Sequence, residues 1–184
     1  MSKPVMCEKV LWEGCCRQDR KAQHDLFVHF LPVMLGVCRR YTKSKMDAED
    51  LVQDGFMHAF KHIASFNGGS LEGWLRRVFV NLCITDFRKR KRKEGFWLEI
   101  NGESELEYKN TDTEWKHDFL ATEQLLSFIN SLPEGARMAF NLFAVEGFSH
   151  KEIADILNIT ESTSRVQVAK ARRLLQNQIN PIIK

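Results

Sequence analysis

The sequence predicts an all-α protein: two small helical domains joined by a flexible linker, the C-terminal one containing a helix-turn-helix. Three observations predict it. Apolar residues recur at three- and four-residue steps across both ends of the chain, while no strand-like alternation persists for more than a few residues. Gly, Asn, Ser and Thr punctuate those runs at positions suited to helix ends. Between them, residues 94–118 are polar and acidic and follow neither period. At 184 residues the chain exceeds one average domain and can hold two small ones, so composition alone leaves the domain count open. A hydrophobic fraction of 43% with 28% charged residues leaves enough apolar material for packing and argues against wholesale disorder.

The first element runs from Leu26 to Tyr41, where Phe27, Phe30, Leu31, Met34, Cys38 and Tyr41 form one apolar face; Pro32 should kink this helix or start it. The second begins near Asp47. Ala48, Leu51, Val52, Phe56, Ala59, Phe60 and Ile63 form its apolar face, and Asp47, Glu49 and Asp50 complement the dipole of its first turn. It should stop near Asn67-Gly68-Gly69. Ser70 then caps a third helix carrying Trp74, Leu75, Val78, Phe79, Leu82 and Ile84, although Gly73 stands where a reciprocal Glu would complete a capping box. The basic run Arg88 to Lys93 continues its end.

The net charge of +3 is modest, and its distribution is more informative than its size. Six consecutive basic residues, 88–93, abut the stretch from Glu94 to Asp118, which holds eight acids against Lys109 and Lys116. That stretch reads as the linker, with local structure around Phe96, Trp97 and Leu98. It divides the chain into domains at 1–93 and 119–184. Five cysteines (Cys7, Cys15, Cys16, Cys38 and Cys83) are odd in number and lack the spacing of a disulfide framework or zinc site, which fits reduced thiols in a cytoplasm. Neither a signal peptide nor an apolar run of about 18 residues is visible, so any membrane link must come through a partner.

Helical patterns resume at Phe119 to Ser131 and at Pro133 to Val145. Ser149 with Glu152 then makes an S-x-x-E capping box, opening a short helix that ends at Leu157 with Ile153, Ala154, Ile156 and Leu157 on its apolar face. Asn158 tolerates the left-handed backbone of a tight turn, Ile159 can plug the core, and Thr160 is a suitable N-cap for a helix starting at Glu161. In that helix Ser164, Val168, Ala171 and Leu175 share one side for packing. The other side presents Ser162, Arg165, Val166, Ala169, Lys170 and Arg173, groups suited to phosphates and base edges in a major groove. The bland alternative is a helical hairpin with a solvated basic face.

Three stretches resemble the extracytoplasmic-function sigma factors, the small two-domain group of the sigma-70 family. Asp47-Ala48-Glu49-Asp50-Leu51-Val52-Gln53-Asp54-Gly55-Phe56 is similar to the family's helix that docks on the coiled coil of the polymerase's largest subunit, which implies docking through Asp50, Gln53 and Asp54. By spacing alone these could equally be an acidic solvated face. Gly73-Trp74-Leu75-Arg76-Arg77-Val78-Phe79-Val80-Asn81 resembles the helix that, with its preceding loop, melts and reads the minus-ten element. The resemblance implies contacts to melted DNA from Phe66, Asn67, Gly68, Gly69, Ser70, Arg77, Asn81 and Arg88. For Trp74 and Phe79 core packing is the better reading, and Asn81 stays open between a base edge and a buried capping amide. Leu132-Pro133-Glu134-Gly135-Ala136-Arg137 through Ala169-Lys170-Ala171-Arg172 resembles the promoter-distal domain. That implies minus-thirty-five contacts from Ser162, Thr163, Arg165, Val166, Ala169, Lys170 and Arg173. Ser162 stands where the family often has Gly, and Val166 and Ala169 replace bulkier or more polar residues.

The resemblance further implies the RNA polymerase core and promoter DNA, duplex and melted, as partners, together with an anti-sigma factor, membrane-anchored in many members. No cofactor, catalytic residue or small-molecule substrate is expected. An ordinary helix-turn-helix regulator would explain residues 149–175 and leave the N-terminal half unexplained. An enzyme is disfavoured: His58 and His62 sit four apart, but the intervening residues lack the Glu of a zincin, no third metal ligand is suggested, and no phosphate-binding loop or nucleophile elbow is present.

Overall fold

Eight α-helices account for the regular structure of the described residues, 8–93 and 122–183 of a computed structural model, apart from one 3₁₀ turn and one π-helical turn, and no strand occurs among them. The expected linker at 94–118 lies outside these residues. The chain divides into two compact units, Met1–Asp86 and Phe87–Lys184.

The first unit contains α1 (Glu8–Cys16), α2 (Arg20–Tyr41), α3 (Lys45–His62) and most of α4 (Leu71–Lys93). Asp19 starts α2, its side chain accepting a hydrogen bond from the Lys21 amide at 2.9 Å. The helix therefore begins six residues ahead of the Leu26 expected from periodicity, and it continues through Pro32 as one element. Pro32 is exposed, as is Val28 one turn earlier, so the carbonyl that loses its intrahelical donor faces water. Ser44 caps α3 by accepting from the Asp47 amide at 3.0 Å. A 3₁₀ turn at Ile63–Ser65 ends this run just before Asn67-Gly68-Gly69.

Four apolar surfaces converge in this unit. Leu26, Phe30, Met34, Val37, Cys38 and Tyr41 from α2 are buried with Ala48, Val52, Phe56 and Ala59 from α3. Leu71, Leu75, Phe79 and Cys83 from α4 and Leu11 and Cys15 from α1 are buried too. The ring of Phe56 meets Phe27 at 4.8 Å and Phe79 at 5.2 Å between centroids, both edge to face, a geometry that adds to the area each ring buries. Helix α1 was not expected from periodicity.

In the second unit α5 (Thr122–Ser131), α6 (Glu134–Phe140) and α8 (Glu161–Ile183) enclose Ile129, Leu132, Ala136, Ala171, Leu175 and Ile179, and α7 (His150–Leu157) packs against α8 with Ile153 and Leu157 buried. A π-helical turn, Asn141–Val145, follows α6. Arg137 is buried in this unit, and desolvation pushes its guanidinium below the ordinary arginine range.

Gly55 faces Phe79 so closely that a Cβ there would lie 2.3 Å from Cε1 of the ring. Alanine would gain about 1 kcal/mol in helix propensity, but overpacking a rigid, fully buried ring costs about 1–3 kcal/mol and should prevail. Gly55→Ala is expected to lower the urea midpoint, and by less in a Phe79→Leu background, as a double-mutant cycle on the full chain would measure.

Candidate nucleic-acid interface

Three surfaces hold the residues singled out in the sequence. On α3 the buried stripe Ala48, Val52, Phe56 and Ala59 forces the opposite side outward. Asp50, Gln53 and Asp54 share that exposed side with Met46 and Met57, which are 69% and 65% exposed. Two large apolar side chains in water beside acids and an amide make this face more than a solvated acidic stripe. His58 and His62 follow, their rings 4.4 Å apart, and no group of three or more metal-ligating side chains occurs among the described residues.

The second surface is the loop between the 3₁₀ turn and α4. Gly68 and Gly69 adopt φ of +104° and +89°, which other residues reach only with strain. No atom stands within 4 Å of where their Cβ would be, so backbone conformation, not space, selects glycine. Asn67, Gly68, Gly69 and Ser70 are exposed, and Ser70 Oγ accepts from the Gly73 amide at 3.1 Å. Phe66 is placed differently from its loop neighbours. Its ring is 8% exposed and lies edge-on to Trp12 at 5.7 Å and Trp74 at 6.1 Å, so it anchors the loop from inside. Phe79 is fully buried. Arg77 and Asn81 are exposed one turn apart on α4, which removes the buried-amide alternative for Asn81; Arg88 is exposed further along the same helix.

The third surface is built by α7 and α8. Both halves of the capping box form: the Ser149 amide donates to Glu152 Oε2 at 2.8 Å, and the Glu152 amide to Ser149 Oγ at 3.3 Å. The Ser149 hydroxyl, donating to Glu152 Oε2 at 2.7 Å, and then the Ser149 amide hold the Glu152 carboxyl below the usual carboxylate range. Asn158 takes φ 55°, ψ 51°, and Thr160 Oγ1 accepts from the Thr163 amide at 3.0 Å. Ser164, Val168, Ala171 and Leu175 are buried as their spacing requires. Ser162, Arg165, Val166, Lys170 and Arg173 are exposed, with Thr163 and Ala169 half-buried beside them. Arg165 is ion-paired with Glu161 one turn earlier. Such exposed pairs contribute about 0–1 kcal/mol, so Arg165 can exchange this partner for another acceptor at small cost.

Sequence reasoning missed what joins these two helices. His150, the first residue of α7, puts Nδ1 at 3.1 Å from Ser164 Oγ on α8. Its ring stacks on Phe143 from the π-helical turn at 4.4 Å and 14°, and the Arg172 guanidinium lies 5.4 Å from the same Phe143 ring. No local periodicity announces a contact across 14 residues. Cys38, expected on the apolar face of α2, is buried and free, and so are Cys15 and Cys83, whose burial periodicity did not announce. Burial raises the Cys15 thiol to about 11, and a hydrogen bond with Cys38, followed by burial, lifts Cys83 well above its ordinary value.

Residues 26–93 match the family described as Sigma-70 region 2, and residues 122–175 the one described as Sigma-70, region 4. The chain is 30% identical over 189 residues to the ECF RNA polymerase sigma-E factor of Escherichia coli strain K12, covering 97% of both chains. It is 29% identical over 187 residues to the ECF RNA polymerase sigma-E factor of Haemophilus influenzae, covering 97% of this chain and 98% of that one. Among solved structures, the sigma factor RpoE in complex with the anti-sigma factor NepR from Bartonella quintana is 27% identical, with a TM-score of 0.48 over 85% of this chain and 96% of that one.

Burial, chiefly, and the nearby Arg165 and Arg172 lower the His150 pKa, while Glu161 opposes them. A folded value below the ordinary histidine value of about 6.5 means the fold favours neutral imidazole. Its contribution is present above that value and lost as pH falls through the lowered folded value. A pH titration of the His150 ring protons by NMR is expected to give a midpoint below the ordinary histidine value of about 6.5, moving upward in Arg172→Ala.

Proposed function

The chain belongs to the extracytoplasmic-function group of the sigma-70 family and directs RNA polymerase to promoters, and from that premise we propose which of its residues do so. The observation that carries the proposal is shared by α3 and α8: each buries one side and leaves the opposite side in water, holding the matched residues apart from the half-buried Thr163 and Ala169. Residues 1–93 form the domain that docks on core polymerase and acts on the minus-ten element. Residues 94–118 are the linker, and residues 119–184 read the minus-thirty-five element. As an initiation factor the chain positions an enzyme and has no catalytic residue of its own. It works in the cytoplasm, and an anti-sigma factor is its regulatory partner, a reading supported by family membership alone.

Asp50, Gln53 and Asp54 dock on the coiled coil of the polymerase's largest subunit. The acids offer charge-assisted hydrogen bonds to Arg, and the flanking Met46 and Met57 offer apolar area that gains from burial. Asn67, Gly68, Gly69 and Ser70, held by the anchored Phe66, receive bases that have left the stack, with Arg77, Asn81 and Arg88 along α4. Ser162, Thr163, Arg165, Val166, Ala169, Lys170 and Arg173 enter the major groove of the minus-thirty-five element. Run-off transcription with purified core and genomic fragments tests the whole reading; transcripts independent of the added chain would overturn it.

Two sets of variants test the parts. Asp50→Lys or Asp54→Lys is expected to weaken core binding by about 2 kcal/mol or more, roughly thirtyfold, with binding of the minus-thirty-five duplex unchanged; fluorescence anisotropy against purified core measures it. Arg165→Ala should relax preference at one or two adjacent base pairs, a loss of about 1–3 kcal/mol of discrimination. Lys170→Ala, as a phosphate contact, should weaken all sequences and reduce the salt slope by about one unit. Binding-site selection distinguishes the two, and an unaltered consensus for Arg165→Ala would remove it from base reading.

A further inference from the structure

The loop assigned to the minus-ten element has little packing of its own beyond Phe66, since Asn67 to Ser70 are all exposed and both glycines take positive φ. Its shape therefore depends on what holds its two ends. Both ends are held by α1, a helix that lies ahead of the segment matching Sigma-70 region 2. At the entry, Trp12 Nε1 donates to the Ile63 carbonyl at 3.1 Å. At the exit, Glu8 Oε2 accepts from the Leu71 amide, the first of α4, at 2.9 Å. Between these points the Trp12 ring meets Phe66, which meets Trp74.

The exit contact repairs a deficiency visible in the sequence. Ser70 satisfies the Gly73 amide, but glycine at that position supplies no reciprocal carboxylate, and the Leu71 amide has no intrahelical acceptor. Glu8 supplies the carboxylate from 63 residues away and adds a negative charge where the helix dipole favours one. Helix α1 can act as a fixed support because it is seated elsewhere: Leu11 and Cys15 are buried, and Gly14 abuts Ala22 of α2 so closely that a Cβ on it would lie 2.5 Å from that residue's Cβ.

We infer that Glu8 and Trp12 are positioning residues for promoter opening, fixing the entry and exit of the 66–70 loop so that Asn67 and its neighbours meet melted DNA in one conformation. The inference rests on the proposed role of that loop. It predicts that losing either tether slows opening while leaving recruitment intact, because neither residue lies on the exposed sides of α3 or α8.

The test uses the full chain assembled with core polymerase, reading the rate of opening on a duplex promoter carrying a fluorescent base analogue in the minus-ten element, with core affinity measured in parallel. Glu8→Ala and Trp12→Phe are expected to open about five- to tenfold more slowly, as loss of one hydrogen bond at the rate-determining geometry implies. Glu8→Gln, which keeps an acceptor oxygen, should recover most of the rate. Asn67→Ala serves as the loop variant. If Asn67→Ala opens slowly while Glu8→Ala and Trp12→Phe match the wild type, the positioning role is wrong and the loop reading stands. If all of them match the wild type, the loop reading falls and takes the inference with it. A loss of core affinity in Glu8→Ala as large as its loss in opening rate would also overturn it, since the contact would then serve the fold at large.

Discussion

The arrangement of the first unit depends on the junction of Phe27, Phe56 and Phe79, one ring from each of α2, α3 and α4. Gly55 permits it, because any side chain there would occupy the space of the Phe79 ring. With Phe56 inward beside Ala48, Val52 and Ala59, helical period turns Asp50, Gln53 and Asp54 to the exposed side. Phe79 has the same effect on α4, where Arg77 and Asn81, two residues to either side, emerge roughly opposite the buried ring. This aromatic junction thus orients both the side of α3 proposed to dock and the side of α4 proposed to face DNA. The close packing of such interiors makes that orientation rigid.

The second unit rests on a chain of short polar contacts laid over an aliphatic core. The capping box fixes where α7 begins, the left-handed Asn158 fixes where it turns, and Thr160 fixes where α8 starts. These three define the path of the backbone and leave the rotation of α8 about its axis to its buried side and to Ser164. His150 takes hold of Ser164 directly, with Phe143 behind the imidazole. The π-helical turn that carries Phe143 has a positional use here, since an extra residue in a turn changes which way the following side chains face.

Much of this was legible in the residues. The S-x-x-E pattern at Ser149, the Asn at 158 and the Thr at 160 are local signals whose partners lie within three or four positions, and each forms the contact its chemistry suggests. The outward sides of α3 and α8 follow from period alone. Other features gave weak or misleading signals. Helix α1 is nine residues long, includes Gly14 and two cysteines, and gains its place from packing on α2 rather than from propensity. Pro32 signals a break that the exposed side of α2 absorbs. Phe66 sits in a polar, glycine-rich loop and looks available to a base, yet its ring is enclosed by Trp12 and Trp74, residues 54 positions before and 8 after it.

By itself the sequence determined what depends on neighbours along the chain: the helical class, the caps and turn of the helix-turn-helix, the glycine pair of the loop, and the side of each helix that meets water. Backbone hydrogen bonding and side-chain period act over a few residues, so their outcome can be read there. Tertiary structure alone decided which distant groups complete those local elements. Glu8 finishes the cap that Ser70 begins, Phe79 dictates glycine at 55, and His150 reaches Ser164 across the turn. Each of these is a contact between groups well separated in sequence, whose chemistry is ordinary and whose distance is set only when the helices pack.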